Sequence, residues 1–172
     1  VAVVLQDVFL FADSLFNNIT LFNPEITRAQ VIKAAKTIGV HDFIETLPEG
    51  YDYNVKERGV MLSSGQRQLI AFLRAYISKP NILVLDEATS SVDSYSEEII
   101  QNAIDTLTKG KTSIVIAHRL ATVKNANRIV VMDHGKIVEQ GSHAELLKIP
   151  NGFYAKLYEI QFAESELIYI IH

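Results

Sequence analysis

Apolar positions recur along this chain with two different periods, and the switches between them divide it. Residues 1–5 form a short continuous apolar run, the pattern of a buried strand entering a loop at Gln6-Asp7. The spacing then turns helical. Leu15, Ile19 and Phe22 share one helix face, capped by Asp13 or Ser14 and stopped by Asn23-Pro24. Thr27 opens a clearer helix with Val31, Ile32, Ala34, Ala35 and Ile38 at helical spacing, and Gly39 sits where a C-terminal cap belongs. A short helix is predicted over 41–46, an irregular stretch over 51–60, and a longer helix from Gln66 to about Ser78.

After Pro80-Asn81 the pattern alternates strand and helix. Strands are predicted at 82–86 and 113–117, with a helix from about Ser94 to Leu107 between them. A short helix at 121–125 follows. Strands at 128–132 and 137–140 flank Asp133-His134-Gly135-Lys136, a good hairpin turn. Ser142 caps a helix to Lys148 with Glu145 completing a capping box, and a last helix runs from Phe153 to about Glu166. The expected fold class is α/β: a parallel sheet with helices, interrupted by a mainly helical subdomain. The expected division is 1–13, the end of a core strand and its loop; 14–78, the helical subdomain; and 79–172, an α/β subdomain with C-terminal helices.

Composition adds limits. Hydrophobic residues at 48% and charged residues at 21% are globular values, so neither disorder nor a fibrous repeat is expected. The net charge of -4 argues against a nucleic-acid partner, whose phosphates attract basic surfaces. With no cysteine there is neither a disulfide framework nor a thiolate metal site. No apolar run approaches the roughly 20 residues that span a bilayer. The opening Val1-Ala2-Val3-Val4 has no charged leader and reads as mid-strand, so the chain is expected to start inside a domain.

Two stretches carry chemistry. Ser63-Ser64-Gly65 leads straight into a helix, where free N–H groups and the positive end of the helix dipole suit a phosphate. Taken alone, it reads better as an ordinary N-cap and turn. The strand 82–86 ends in Asp86-Glu87, at the edge where open α/β sheets bind ligands. Mg²⁺ takes hard oxygen ligands and keeps several waters, so one such carboxylate suffices. The plain alternative is a surface pair after a strand. Together the stretches predict a nucleotide–Mg²⁺ site.

These residues also resemble a known family. Leu62-Ser63-Ser64-Gly65-Gln66 resembles the signature motif of ABC-transporter ATPase domains, and 82–87 resembles their Walker B strand. Ser91-Val92-Asp93 is similar to the D-loop, Ile116-Ala117-His118-Arg119-Leu120 to the switch-histidine loop, and Gln6 to the Q-loop. Glu57-Arg58-Gly59 resembles the loop before the signature in exporters. The matches run in family order from residue 1 to about 160. The resemblance implies a P-loop NTPase (RecA-like) sheet with a signature-bearing helical subdomain, and ATP and Mg²⁺ as ligands. It implies Asp86 and Gln6 at the metal, Glu87 as general base, and His118 at the γ-phosphate. It also implies that Ser63, Ser64, Gly65, Gln66 and Asp93 contact nucleotide across a head-to-tail dimer. The second nucleotide-binding domain and the transmembrane domains of an exporter are the implied partners. The parent protein would sit at the cytoplasmic face of the membrane, and the chain itself is expected to be soluble.

Two departures stand out. Ser64 replaces the first of two usual glycines, which costs something if its φ is positive. No P-loop occurs: Gly110-Lys111-Thr112 has Asp105 where the first glycine must be, and it precedes a strand. The chain thus looks like the C-terminal two-thirds of such a domain, cut just before the Q-loop. Two alternatives stand beside the exporter reading, a soluble ABC-type ATPase of DNA repair or translation and a non-catalytic regulatory fragment. Asp93 serves equally as a cap for the helix at Ser94. His41, His134, His143 and His172 have no metal-ligand spacing and read as surface or structural.

Overall fold

A computed structural model describes residues 1–86, 94–117 and 123–160, and the side chains of 94–97 are outside that description. Contacts divide the chain into two units, residues 1–116 and 117–172.

The first unit holds a parallel three-stranded sheet in the order β1-β2-β3: Ala2–Val4, Ile82–Asp86 and Thr112–Ile116. Four helices lie in sequence between β1 and β2: α1 (Leu15–Thr20), α2 (Arg28–Ile38), α3 (His41–Glu45) and α4 (Ser64–Ile77). α5 (Ser94–Thr108) connects β2 to β3. Local chemistry sets the helix ends. Ser14 caps α1, Thr27 and Gln30 form a capping box on α2, and Gly39 closes α2 at φ 80. α1 is shorter than its apolar spacing suggests. Leu21 takes the left-handed conformation at the C-cap, and Phe22 follows at φ 60 outside the helix. Pro24 bars its neighbour Asn23 from helical geometry, so the turn closes early. Residues 51–60 are irregular, as expected, except for single 3₁₀ turns at Gly50–Asp52 and Glu57–Gly59.

One core unites these elements. Leu15 and Ile19 of α1, Leu69, Ile70, Phe72 and Leu73 of α4, and Leu83 and Leu85 of β2 are buried in a single cluster. α5 adds Ile100, Ala103, Ile104 and Leu107, the i, i+3, i+4, i+7 stripe of an amphipathic helix. Each such Leu, Ile or Phe side chain is worth about 1.5–3 kcal/mol of burial. The sheet is less evenly covered. Val4, Leu83 and Leu85 face the core, whereas Val3, Ile114 and Ile116 are 57%, 57% and 51% exposed.

The second unit contains an antiparallel pair, β4 (Ile129–Asp133) and β5 (Lys136–Gly141), joined at His134-Gly135. Both turn residues have positive φ, 47° and 75°, as a tight hairpin turn requires. α6 (His143–Leu146) opens on the Ser142–Glu145 capping box but ends before Lys148. A further helix, α7, covers 153–160. Glu139 accepts from the N–H groups of Phe153 and Tyr154, anchoring its start. Ile129, Leu146 and Tyr154 form the small core.

Candidate nucleotide site

Strand register decides what meets at the sheet edge. β1 pairs with β2 so that Val4 lies beside Leu85, and β3 pairs so that Ile116 lies beside Asp86. Parallel neighbours are about 4.8 Å apart. Leaving β1 after Val4, the chain bends at Gln6-Asp7. Gln6 therefore emerges at the same C-terminal edge as Asp86. Gln6 is exposed and Asp86 half-buried, so both are open to a ligand. Their side chains offer amide and carboxylate oxygens, the hard donors that Mg²⁺ takes. Among the described residues no three His, Cys, Asp or Glu side chains gather as a closed metal cage. Mg²⁺ needs none, because waters fill most of its shell.

The signature stretch is a separate group at the start of α4. Ser63 is the N-cap, and its Oγ accepts from Gln66 N at 3.2 Å while Gln66 Oε1 accepts from Ser63 N at 2.9 Å. This capping box engages oxygens as acceptors. It leaves donors over: the Ser63 hydroxyl hydrogen, the Gln66 amide NH₂, and the N–H groups of Ser64 and Gly65, which precede the first intrahelical donor. The first intrahelical bond is Arg67 N to Ser63 O at 3.0 Å. A donor-rich helix start has the polarity a phosphate needs. Ser64 is the first helical residue and is absent from the positive-φ positions, so its Cβ carries none of the anticipated cost. Among the described residues no hydrogen bond joins Ser63–Gln66 to Gln6 or Asp86; the structure presents two groups, not one.

Glu87, Asp93 and His118 lie outside the described residues. Gly110, at φ 71, sits in the turn between α5 and β3, so Gly110-Lys111-Thr112 leads into a strand. His41 Nδ1 meets Tyr51 Oη at 2.9 Å and His143 Nδ1 meets Tyr154 Oη at 2.7 Å, both structural pairings. Burial raises the Tyr51 phenol to about 12, so it stays protonated. Sequence reasoning passed over Asn18 and Arg74, a buried amide and a half-buried cation. Asn18 gave a readable signal: it is a polar residue three positions from Leu15 on the inward face of α1. Arg67 was also missed; its Nη1 donates to Leu62 O at 2.6 Å, bracing the loop before the cap.

Comparison with known proteins bears on the family of this chain. A family profile described as ABC transporter matches residues 1–90. The alpha-hemolysin translocation ATP-binding protein HlyB of Escherichia coli O6:H1 is 54% identical over 161 residues, covering 94% of this chain and 23% of HlyB. The ATP-dependent lipid A-core flippase of Legionella pneumophila (strain Paris) is 52% identical over 161 residues, covering 94% of this chain and 27% of the flippase. A bacterial Atm1-family ABC exporter solved with ATP bound superposes with a TM-score of 0.82 at 41% identity, over 93% of this chain and 28% of the exporter. The chain thus spans about a quarter of the length of the relatives it matches. With the profile covering more than half of its residues and the α/β fold matching an ABC exporter, the chain belongs to the ABC transporter family.

Proposed function

We propose that this chain is part of the ATP-hydrolysing nucleotide-binding domain of an ABC exporter, where ATP binding and hydrolysis drive export across a membrane. The observation that carries the reading is the β1–β2 register, which brings the Gln6 loop and Asp86 to one edge of a parallel sheet. In this reading Asp86 and Gln6 hold Mg²⁺, which neutralises phosphate charge when bound. Glu87 takes the proton of the attacking water, and His118 positions the γ-phosphate and the water. Ser63–Gln66 donate hydrogen bonds to the nucleotide held by a second domain in a head-to-tail pair, with Asp93 at the same interface. The transmembrane domains are the further partners, at the cytoplasmic face of the membrane. Among the described residues no helix is long and apolar enough to cross it.

The 172 residues contain no Gly-x-x-x-x-Gly-Lys-Ser/Thr, so the main phosphate cradle comes from elsewhere. Calorimetric titration with Mg-ATP tests this directly. The isolated chain is expected to show no binding at millimolar nucleotide, while the full-length protein binds and turns over. In the full-length protein Glu87→Gln is expected to lower kcat by roughly 10²–10⁴-fold, the usual worth of a general base. Micromolar binding by the chain alone, or full turnover by Glu87→Gln, would overturn the assignment.

A further inference from the structure

Residues 9–11 begin three positions after Gln6 and are fastened at each position to other elements of the first unit. Arg74, in the last turn of α4, donates from Nη1 to the Phe9 carbonyl at 2.8 Å. Leu10 is fully buried and packs against Gly59. Phe11 is held through both backbone groups by the Asn18 amide: its N–H donates to Oδ1 at 2.8 Å, and its carbonyl accepts from Nδ2 at 3.0 Å. Arg74 also grips Asn18, donating from Nε to its carbonyl at 2.6 Å and from Nη2 to its Oδ1 at 3.1 Å. The rings of Phe9 and Phe11 are left exposed and meet edge to face, with centroids 5.2 Å apart.

The knot is built from side-chain donors and backbone carbonyls. Asn18 is fully buried and spends its amide on three backbone carbonyls, those of Phe11, Asp13 and Ser14. Among the described residues Arg74 bonds only neutral oxygens, and burial lowers its pKa. A cation withdrawn from water without a carboxylate recovers less of its desolvation cost. What the cation supplies is a fork of donors in fixed geometry, which locks two separate segments to one helix. That helix carries Ser63–Gln66 at its other end, about 15 Å away at 1.5 Å per residue.

We propose that Arg74 and Asn18 are positioning residues of the ATPase site. They make residues 9–11 and α4 one rigid piece, so a displacement of Ser63–Gln66 on nucleotide binding is delivered to the loop after Gln6. The proposal rests on the ATPase reading above. Coupling of this kind is demonstrated by a differential response and not by contact alone.

Hydrogen–deuterium exchange of the full-length protein, with and without a non-hydrolysable Mg-ATP analogue, makes the test. In the unmodified protein nucleotide is expected to slow exchange in both 62–68 and 8–13. In Arg74→Lys, which keeps the charge but not the fork, 62–68 still responds while the response of 8–13 falls roughly tenfold, about the worth of one charged hydrogen bond. Simple destabilisation raises exchange in both segments and produces no such split. If Arg74→Lys does not fold, the isosteric Asn18→Asp gives the same comparison, since it removes the donor to the Phe11 carbonyl. A joint response of both segments in a folded variant overturns the proposal. A response confined to 62–68 in the unmodified protein overturns it too while leaving the ATPase reading intact. No response at 62–68 in the unmodified protein overturns both.

Discussion

Gly59 occupies a position that the backbone and the packing both restrict, and replacing it with alanine separates the two costs. Its φ is +65°, a region where a Cβ is strained by roughly 1–2 kcal/mol. An added Cβ would stand 2.7 Å from Leu10 Cδ1 and 3.3 Å from both Leu10 Cβ and Arg67 Cδ. Leu10 is 0% exposed, so its methyl has little room to swing away. Overpacking of this sort costs about 1–3 kcal/mol. Gly39→Ala is the control, because its φ is +80° yet nothing lies within 4 Å of its added Cβ. Urea unfolding should show Gly39→Ala losing about 1 kcal/mol and Gly59→Ala losing about 2–4 kcal/mol. The difference between the two is the steric part. Equal losses would refute the claim that the Glu57-Arg58-Gly59 turn is pressed against Leu10.

Three further predictions follow from single contacts. Ser63→Ala removes the α4 cap and should lower stability by about 1 kcal/mol in denaturant unfolding. On the sheet, Leu83→Ala should cost about 2–5 kcal/mol, whereas Ile114→Thr and Ile116→Thr should each stay within about 0.5 kcal/mol, so a matching loss at Ile114 would mean that its face is covered. Glu145 is held below the usual glutamate range by bonds from the Ser142 N–H and hydroxyl. A depressed carboxylate adds stability above its unfolded value and loses it as pH falls through the folded one. The second unit should therefore weaken on the acid side of about pH 4.3, and Glu145→Gln should flatten that limb of a pH–unfolding curve.

Much of the first unit was legible because its signals are local. The helix start at Thr27, Gly39 and the apolar run 82–86, like the His134-Gly135 turn of the second unit, each depend on side chains within a few residues, and each formed as read. Ser63 and Gln66 were legible as a helix start for the same reason. The early end of α1 was not, since Leu21 offers no preference for the left-handed conformation it adopts. Nor was the Asn18–Arg74 knot, which joins positions 56 residues apart. Period and propensity carry no information about such a pairing. The placing of Gln6 and Asp86 at one edge likewise depends on register between strands about 80 residues apart, which pattern suggests only through the rule that parallel sheets bind ligands at one edge.

The two proposed half-sites have opposite polarity, and this bears on how they are used. Among the described residues the sheet edge offers Gln6, Asp7 and Asp86, all oxygen-bearing and none of them basic. A polyphosphate meets repulsion there unless a cation and a separate set of N–H donors intervene. The start of α4 offers the reverse: its acceptors are engaged in the capping box, and its donors remain. Neither group is a complete nucleotide site, and the capping geometry keeps the donors directed past the end of their own helix. In the proposed function, an acidic edge that would hold Mg²⁺ in one domain and a donor-rich helix start from another would complement each other across a triphosphate, which gives the proposed head-to-tail pairing a chemical reason.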